Sequence, residues 1–461
     1  MTKSDALETR VDGLFAEWNK PDSLGAALAI IKDGVIAYKC GYGMANLEYD
    51  IPITPSTIFD IASVSKQFAG FAIATLFHGG ELSLDDDIRK YLPDLPGFGN
   101  TITIRHLVHH TSGLRDWVQS MVIAGIQMDD VISFKHILKM ARHQKELNFQ
   151  PGEEYLYSNT GYNLLVEIVE TIAGSSFREW TDAHIFKPLG MTNTHFHDDH
   201  EMIVKNRAYS YEPVESGGVK NAVNNLTALG SSSLYTTVED LVKWIVNFDD
   251  KRVGGHTAIG QMHQQGILNN GEQIPYAFGQ SIGEYKGLRT VDHSGSWRGF
   301  RSHLVRFPDQ KFGVVILSNL ASFPPQNLAR QIADIYLADQ LTSEAESTAE
   351  PVEPDTAEDS IEPLTAEQLA EFVGDYYSEE LDTTYAIIVR EGQLVAQHRR
   401  NDDIPLTYTG DGFVGAEWFF PQVHFMRDDN GKITGFRLTG GRVRNLRFDR
   451  RGVKRERKNH D

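Results

Sequence analysis

Cysteine is almost absent from this sequence: Cys40 is the single one among 461 residues. One thiol cannot form an intrachain disulfide, which excludes a disulfide-stabilised architecture and fits a reducing compartment. The chain also lacks any run of about 18 apolar residues, so no membrane-spanning helix is predicted. Its N-terminal stretch is rich in charged residues and has no apolar segment typical of a signal peptide. We therefore expect a cytoplasmic protein with no membrane partner.

Cationic side chains are also in short supply. The sequence has 44 Lys and Arg against 63 Asp and Glu, which gives a net charge of −19. Because nucleic acids and anionic membranes attract cationic surfaces, neither is expected as a partner. Apolar residues make up 41% and charged residues 23% of the chain, as in soluble globular proteins. A chain of this length is expected to form more than one domain.

Composition divides the chain into parts. Residues 342–363 hold eight acidic residues and three prolines but no Lys or Arg. Such a segment cannot bury enough apolar surface to offset the entropy lost on folding. We therefore assign an acidic linker to residues 341–363, between a first domain of residues 1–340 and a second of residues 364–461.

The second domain is predicted to be an antiparallel β-barrel. Short runs of alternating apolar residues are separated by turn sequences, and a meander of this length should close to remove free strand edges. The turns are predicted at Glu391-Gly392, Gly410-Asp411-Gly412, Asn430-Gly431 and Gly440-Gly441. The basic stretch of residues 442–458 is interpreted either as a solvated tail or as a segment docked on acidic surface elsewhere.

The first domain mixes strands and helices. Strands at both of its ends, with helices between them, predict an antiparallel sheet built from the two ends and covered by helices. Hairpin turns are predicted at Lys32-Asp33-Gly34 and Pro308-Asp309, and helices over residues 63–78, 161–173 and 236–248. An amphipathic first helix is predicted from the spacing of Leu7, Val11, Leu14, Phe15 and Trp18.

The stretch "IASVSKQF" places Ser63 and Lys66 three residues apart at the start of an apolar helix. Residues at i and i+3 share a helix face, so the lysine amine can reach the serine hydroxyl. A neutral lysine could take the proton that makes serine a nucleophile, and burial would favour the neutral amine. Alone, this common pattern favours a lysine that extends to water over a catalytic one.

Two later segments favour the catalytic interpretation. "YSN" begins at Tyr157 just before a predicted helix, and "HSG" begins at His293 in a predicted strand. Together with Ser63 and Lys66, in this order, they resemble the three active-site motifs of the class C β-lactamase and penicillin-binding serine hydrolases. The segments "TIRHLVHHTSGL", "FKPLGMTNTHF" and "SSSLYTTVEDLVKW" also resemble the framework of that family.

The resemblance covers roughly residues 10–340. It implies a β-lactamase/transpeptidase-like fold of the α/β (α+β) class, with an antiparallel sheet flanked by helices and an all-helical lobe. The second domain resembles the lipocalin-like barrel appended to some D-aminopeptidase-type relatives. Ser63 would then be the acylated nucleophile, Lys66 its proton partner and Tyr157 the general base.

The same resemblance implies the substrate-binding residues. Asn159 would donate hydrogen bonds to the substrate amide and to Lys66, and His293 would line the far wall. The oxyanion hole would consist of the backbone N–H groups of Ser63 and of Ser296, the residue that follows Gly295.

Proton transfer by a tyrosine raises a physical question. The ordinary pKa of Tyr is about 10, so a phenolate at neutral pH needs nearby positive charge. We expect Lys66 and Tyr157 to share a proton and to titrate together. β-Lactamases of this type carry a second lysine in the third motif, where this chain has the mostly neutral His293. β-Lactam hydrolysis is therefore not expected as the main activity, because His-x-Gly occurs in the D-peptidase and esterase relatives.

A competing nucleophile is Ser281 in "GQSIG", which matches the Gly-x-Ser-x-Gly pattern. That motif requires a helix after the serine, and the residues that follow have no helical period. We interpret Ser281 as part of an ordinary strand.

Histidine groups suggest a metal site only weakly. Neither group matches a zinc-binding motif or comes with a clear third ligand, so a structural turn and a surface loop are preferred. The two groups are His106, His109 and His110, and His195, His197 and His200.

Five further residues are candidates for substrate specificity, one of which is Trp297, directly before Arg298. Arg298 follows the third motif and could pair with a terminal carboxylate of a peptide. Tyr162, Asp116 and Trp117 could line the cleft, although helix packing is the alternative for Tyr162.

We therefore predict a serine hydrolase that needs neither metal nor cofactor and cleaves amide bonds of small peptides, including peptides with D-residues. Alternatives are a short-chain carboxylesterase or weak β-lactamase, and, from another class, a non-catalytic penicillin-binding sensor or scaffold. The expected partner is a small peptide, amide or ester, and a homo-oligomer is compatible with the sequence.

Overall fold

A computed structural model describes residues 3–342 and 362–452. The strands of the first range are β1 (Ala26–Lys32), β2 (Val35–Tyr42), β3 (Met44–Asn46), β4 (Ile51–Pro52), β5 (Phe59–Asp60), β6 (Ile132–Ser133), β7 (His195–Phe196), β8 (Tyr211–Pro213), β9 (Val219–Asn221), β10 (Leu226–Thr227), β11 (Leu234–Thr236), β12 (Ser281–Tyr285), β13 (Leu288–Trp297), β14 (Phe300–Phe307) and β15 (Phe312–Ser318).

Helices surround these strands. They are α1 (Lys3–Leu14), α2 (Lys66–His78), α3 (Ile104–Val108), α4 (Trp117–Ile123), α5 (Phe134–His143), α6 (Asn159–Ala173), α7 (Phe177–Thr181), α8 (Lys187–Leu189), α9 (Val238–Asp250), α10 (Gly255–Gln261) and α11 (Pro325–Tyr336). Short 3₁₀ segments cover Ala62–Ser65, Ile88–Lys90 and Pro308–Gln310, and one π-helical turn covers Asp182–Phe186.

The main sheet is antiparallel, with strand order β12-β13-β14-β15-β1-β2. Its strands come from the two ends of the first range, and both hairpins turn where the sequence predicts. β1 and β15 lie in the middle of the sheet and are buried along almost their whole length, so they read as continuous apolar runs. The predicted antiparallel sheet covered by helices is confirmed.

Two apolar layers cover the sheet. α1 and α11 pack on one face, where Val11 and Phe15 are fully buried, so the predicted amphipathic first helix is confirmed. The other face packs on α9 and on the helical lobe around α2 and α6. The three helices predicted from the sequence correspond to α2 with its preceding 3₁₀ turn, α6 and α9, with ends shifted by at most two residues.

The second described range forms a short helix and a closed eight-stranded barrel, as predicted. The elements are α12 (Ala366–Glu371), β16 (Gly374–Ser378), β17 (Thr383–Arg390), β18 (Gln393–Gln397), β19 (Ile404–Tyr408), β20 (Phe413–Gly415), β21 (Gln422–Arg427), β22 (Ile433–Gly440) and β23 (Val443–Arg450). The four predicted turns separate neighbouring strands. Fully buried aromatic residues such as Tyr385, Phe436 and Phe448 fill the interior, which is a packed core.

The solvated-tail interpretation of residues 442–458 is wrong for its first half. Residues 443–450 form β23, whose pairing with β16 closes the barrel. The basic side chains alternate with buried Val443, Leu446 and Phe448, so this stretch has the period of a strand with one face in the barrel core. Residues 453–458 lie outside the described ranges, as does most of the predicted linker. The domain boundaries remain a prediction.

The barrel docks on the helical lobe through buried polar contacts. Arg115, which immediately precedes α4, forms a salt bridge of 2.9 Å with Glu380, and the two side chains are only 2% and 8% exposed. Asn148 and Gln119 clamp the turn between β22 and β23 by bonds to the backbone of Arg442. This docking places the turn next to the site described below.

No helix in the two described ranges is long and apolar enough to span a bilayer.

Candidate active site

Ser63 and Lys66 meet at the start of α2. Ser63 lies in the 3₁₀ turn and Lys66 begins the helix, which places the Lys66 Nζ 3.1 Å from the Ser63 Oγ. The other hydroxyl of the motif is structural, because the Ser65 Oγ accepts a hydrogen bond of 3.1 Å from the Leu234 N–H. The hydroxyl available for chemistry is therefore that of Ser63.

The Lys66 amine is fully buried, and it has three oxygen neighbours. Besides Ser63 Oγ, these are the Asn159 Oδ1 and the Ser231 carbonyl, each at 2.7 Å. The last two oxygens can only accept, whereas the Ser63 hydroxyl can also donate. A neutral Lys66 can thus donate to both acceptors and direct its lone pair at the Ser63 proton. Burial, together with the Arg442 charge, lowers the pKa of Lys66 well below its ordinary value, against an opposing effect of Asp116.

Asn159 is held in one orientation. Its side-chain and backbone N–H groups both donate to the Asp116 Oδ2 at 2.8 Å, so its Oδ1 faces Lys66. The prediction that Asn159 donates to Lys66 is therefore wrong: the amide accepts from the amine. One Nδ2 proton is left for a substrate carbonyl, because an amide nitrogen carries two.

Tyr157 is half-buried beside this pair, with its ring centroid 4.8 Å from the Lys66 Nζ. Burial raises the pKa of Tyr157, while a hydrogen-bonding interaction with Ser63 and the Arg442 charge lower it to a smaller extent. The raised pKa means that a standing phenolate is disfavoured. The Lys66 amine is hydrogen-bonded to Ser63, Asn159 and the Ser231 carbonyl, so a proton shared with Tyr157 would pass through the Ser63 hydroxyl.

His293 forms the opposite wall as a neutral imidazole. Its Nδ1 lies 2.7 Å from the Ser294 carbonyl, so that nitrogen carries the proton, and its Nε2 accepts from the Tyr276 hydroxyl at 3.0 Å. Burial and the nearby Lys66 lower the pKa of His293 to about 3. His293 therefore shapes the wall of the cleft and forms hydrogen bonds there, but it places no positive charge in the cleft.

The backbone around Gly295 and Ser296 is close to the nucleophile. A Cβ at Gly295 would lie 2.2 Å from the Ile61 carbonyl oxygen, so only glycine allows this approach of β13 to the turn before Ser63. β12 pairs with β13 only as far as Asp292, which leaves residues 293–297 beyond its end. Ser63 and Ser296, whose N–H groups are the predicted oxyanion donors, both line one cleft.

This cleft has a volume of about 570 Å³, and Ser63, Tyr157, Asn159, His293 and Ser296 line it. It has the size of a small-molecule site. Trp117 also lines it, as predicted.

Two other specificity candidates lie elsewhere. The Tyr162 hydroxyl donates to the Val108 carbonyl at 2.9 Å, so this side chain serves helix packing. Asp116 acts behind Asn159 instead of lining the cleft.

Arg298 is not among the cleft-lining residues. Its guanidinium lies 3.7 Å from Glu212, in the turn after β13, and this placement does not support the predicted pairing with a substrate carboxylate. The cation at the cleft is Arg442 from the barrel, whose Cζ lies 4.7 Å from the Tyr157 ring centroid. Its guanidinium is 3.8 Å from Asp116 and its side chain is 45% exposed.

Ser281 begins β12, so its interpretation as a strand residue is confirmed. Gly279, in the same "GQSIG" stretch, has φ +74, and a Cβ there would lie 2.3 Å from the Lys66 carbonyl oxygen. This glycine lets the chain pass close to the start of α2. The pattern thus reflects packing, and no helix follows the serine.

The histidine groups have structural contacts. His106 caps α3, His109 bonds to the Gln264 carbonyl, and His110 accepts from the Ser158 N–H at 3.1 Å. His195 and His197 pack against the Tyr235 ring. In the described ranges no group of three or more His, Cys, Asp or Glu is arranged to hold a metal ion.

Three contributors to the site were missed from the sequence. The Ser231 carbonyl could not be found, because any residue has one. Tyr276 lies 17 residues before His293 and Arg442 lies in the barrel, so neither belongs to a motif, and only the Gly440-Gly441 turn marks the position of Arg442.

The buried amine predicts a pH dependence. Below the lowered pKa of Lys66 the amine is charged and cannot accept the Ser63 proton, so kcat/KM for p-nitrophenyl acetate should rise with pH. The rise should end well below 10.5, the ordinary pKa. Lys66→Arg, which stays charged, should be inactive at every pH, whereas Lys90→Arg on the exposed surface should match the parent profile. A rise centred near pH 10.5 would contradict this assignment.

Comparison with known proteins follows the same outline. The family model described as "Beta-lactamase" matches residues 11–337. A D-aminopeptidase of Gluconobacter oxydans is 30% identical over 317 residues, covering 68% of this chain and 59% of the relative. Protein flp of Staphylococcus aureus is 31% identical over 310 residues, covering 65% and 60%. The matched regions thus span about three fifths of these curated relatives.

Solved structures with a similar fold align with a larger part of this chain than the curated sequences do. The octameric penicillin-binding protein homologue from Pyrococcus abyssi is 26% identical, with a TM-score of 0.65 over 97% of this chain and 100% of that one. D-Amino acid amidase from Ochrobactrum anthropi has a TM-score of 0.63 at 21% identity, over 73% of this chain and 100% of that one. The second likeness concerns the fold alone.

Proposed function

Because this chain belongs to the Beta-lactamase family, we propose that it is a serine hydrolase in which Ser63 forms an acyl-enzyme with an amide or ester substrate. The neutral Lys66 amine takes the Ser63 proton as Oγ attacks the carbonyl carbon. The N–H groups of Ser63 and Ser296 hold the resulting oxyanion. The proton then passes through the Lys66–Tyr157 pair to the leaving amine or alcohol. In deacylation Tyr157 takes a proton from the attacking water while its own phenolic proton passes to the Ser63 Oγ, as the bond between that oxygen and the acyl carbon breaks.

The contacts of the Lys66 amine carry this proposal. A fully buried lysine without a carboxylate partner within hydrogen-bonding distance is costly when charged, and a structural role would be served better by an apolar side chain. Its two strict acceptors and one hydroxyl neighbour instead suit a neutral base directed at Ser63.

The proposed substrates are short peptides or amides, including those with D-residues. This proposal rests on the D-aminopeptidase relative and on the neutral His293 in the third motif. The alternative of a short-chain esterase uses the same machinery. Hydrolysis of D- and L-aminoacyl p-nitroanilides, compared with p-nitrophenyl esters of the same acids, distinguishes the two. A preference of at least tenfold in kcat/KM for the esters over every amide would favour the esterase.

A non-catalytic sensor is the second candidate, and Ser63 labelling separates it from an enzyme. Mass spectrometry after incubation with a penicillin should detect an adduct on Ser63 that disappears with time. A permanent adduct would favour a sensor, and the absence of labelling by penicillin or by a fluorophosphonate would favour a scaffold. The packed aromatic interior of the barrel does not favour a ligand-binding role for that domain. The octameric relative supports a homo-oligomer, which we retain as a proposal.

Arg442 is proposed to bind a carboxylate of the substrate at the mouth of the cleft. Charge-assisted hydrogen bonds contribute about 1.5–3 kcal/mol, so Arg442→Ala should raise KM about tenfold or more for peptides with a free carboxylate. Peptides whose carboxylate is amidated should be affected much less. Arg447→Ala is the matched control, because Arg447 lies in β23 of the same barrel, is not among the cleft-lining residues, is 54% exposed and pairs with Asp449. Equal losses for free and amidated peptides would remove Arg442 from substrate recognition.

A further inference from the structure

The residue before the nucleophile has an unfavourable backbone conformation. Ala62 has φ +46, in the left-handed region that residues with a Cβ seldom adopt. It is the first residue of the helical turn that carries Ser63, two residues after the end of β5. Without external support this backbone would relax and move the Ser63 hydroxyl, so the contacts that hold the turn matter for the site.

A buried carboxylate holds this turn from one side. The Asp60 Oδ1 accepts a hydrogen bond of 2.8 Å from the Ala62 N–H, and its Oδ2 accepts one of 2.9 Å from the Asn224 Nδ2. Asp60 is only 1% exposed and is not among the residues that line the cleft. The side chain therefore acts on the backbone of the turn and not on a substrate.

Asn224 cannot reverse its amide. Its Oδ1 accepts from the Trp297 Nε1 at 3.0 Å and from the Leu226 N–H at 3.2 Å, both of which can only donate. Its Nδ2 must therefore point at Asp60. This fixes the Asp60 carboxylate and links it to Trp297, which itself lines the cleft.

The turn is also held from the other side. The Ser302 Oγ donates to the Ile61 carbonyl at 2.7 Å, and β13 approaches the same carbonyl at Gly295. Ile61 and Ala62 are thus both bonded to side chains, those of Ser302 and Asp60, that are not among the cleft-lining residues.

We propose that Asp60 is a positioning residue that holds the turn at Ala62 so that the Ser63 hydroxyl faces Lys66 and the Ser63 N–H faces the oxyanion. This inference rests on the proposed function of Ser63. It assigns no chemical step to Asp60.

The charge state of Asp60 adds a pH signature. Burial raises the pKa of Asp60 to about 6, against the lowering effects of the Ala62 and Asn224 hydrogen bonds and of Arg207. The other ionisable group at this carboxylate is Tyr235, whose pKa is raised by burial and which stays neutral. Asp60 is therefore ionised above about pH 6 and protonated below, and the weaker acceptor at low pH should hold the turn less firmly.

The test uses Asp60→Asn, which keeps the shape and an acceptor for Ala62. The new amide nitrogen at residue 60 then faces the Asn224 Nδ2. Both atoms are donors, so the hydrogen bond between residues 60 and 224 is lost. We expect a 10- to 100-fold lower rate of Ser63 modification by a fluorophosphonate, a similar fall in kcat, and KM within twofold of the parent. The component of the pH–rate profile centred near pH 6 should disappear in the variant.

Asp240→Asn is the matched control, because Asp240 is also 1% exposed and is bonded to Asn193 and Thr194 away from the cleft. It should lower the melting temperature without changing the labelling rate. Should Asp60→Asn not fold, Asn224→Ala leaves the Asp60–Ala62 bond in place and should slow labelling about tenfold. Parent-like labelling with an unchanged profile in the folded variant would overturn the role of Asp60 while leaving the hydrolase intact. Failure of the parent to label at Ser63 would overturn both.

Discussion

Ser63→Ala is expected to abolish hydrolysis of p-nitrophenyl acetate, with a loss in kcat on the order of 10⁴-fold or more. The side-chain oxygen is the atom that would form the acyl bond, and no other hydroxyl lies at Lys66 in the described structure. Steady-state rates of the purified variant measure the loss. Burst kinetics of the parent with the same ester test for an acyl-enzyme that accumulates.

Ser281→Ala is the control for this prediction. Ser281 also lines the cleft, but it begins β12 and has no contact with the Lys66 amine among its hydrogen bonds. Its rate should therefore stay close to that of the parent. If the Ser281 variant lost activity and the Ser63 variant kept it, the nucleophile would be in "GQSIG" and the roles of Lys66 and Tyr157 would have to be abandoned.

Short-range patterns account for the parts of the fold that were predicted. The turns at Asp33-Gly34 and Asn430-Gly431 and the apolar run of α2 are encoded within a few residues, so hairpins and helices could be placed closely. The barrel followed from the same local signals together with the need to pair strand edges. The position of Ser63 relative to Lys66 was also local, because helix geometry fixes the i and i+3 spacing.

Long-range contacts could not be read from the sequence. The order of the three motifs indicated that Tyr157 and Asn159 approach Ser63, but not that the Asn159 oxygen faces Lys66. That orientation is set by Asp116, 43 residues away in the chain. The position after the third motif predicts Arg298 as the cation that binds a substrate carboxylate, whereas docking of the barrel places Arg442 at the cleft. The alternation of buried and exposed residues along β23 is not apparent from the sequence, because its many basic residues suggest a solvated tail.

The electrostatics of the site form a consistent set. Burial disfavours the charged form of Lys66, His293 and Tyr157 alike, so the resting site is predominantly neutral apart from Arg442 and Asp116. In the proposed mechanism, proton transfer from Ser63 to Lys66 would create charge inside the cleft only during the reaction. A site of this kind is organised for charge that develops in the transition state.

Glu380→Gln is expected to lower the free energy of unfolding by about 3–5 kcal/mol, because it leaves the Arg115 guanidinium buried without its counter-charge. Denaturant titration followed by circular dichroism measures the change. Activity should fall as well, since Arg115 precedes Asp116, which orients Asn159, and since the docked barrel supplies Arg442. Glu379→Gln is the matched control: its side chain is 74% exposed, so loss of its pair with Lys145 should leave the free energy of unfolding close to that of the parent.

A double-mutant cycle decides whether the Arg115–Glu380 pair stabilises the docking or only fixes its geometry. Replacing both residues, as Arg115→Met with Glu380→Leu, removes the unpaired charge, so the double variant should be more stable than either single variant. If the double variant regains stability but not kcat/KM, the pair acts mainly by setting where the barrel lies on the helical lobe. Full recovery of both quantities would show that apolar packing alone places Arg442 and Asp116 correctly. A loss of stability equal to the sum of the two single losses would contradict a direct interaction between the two side chains.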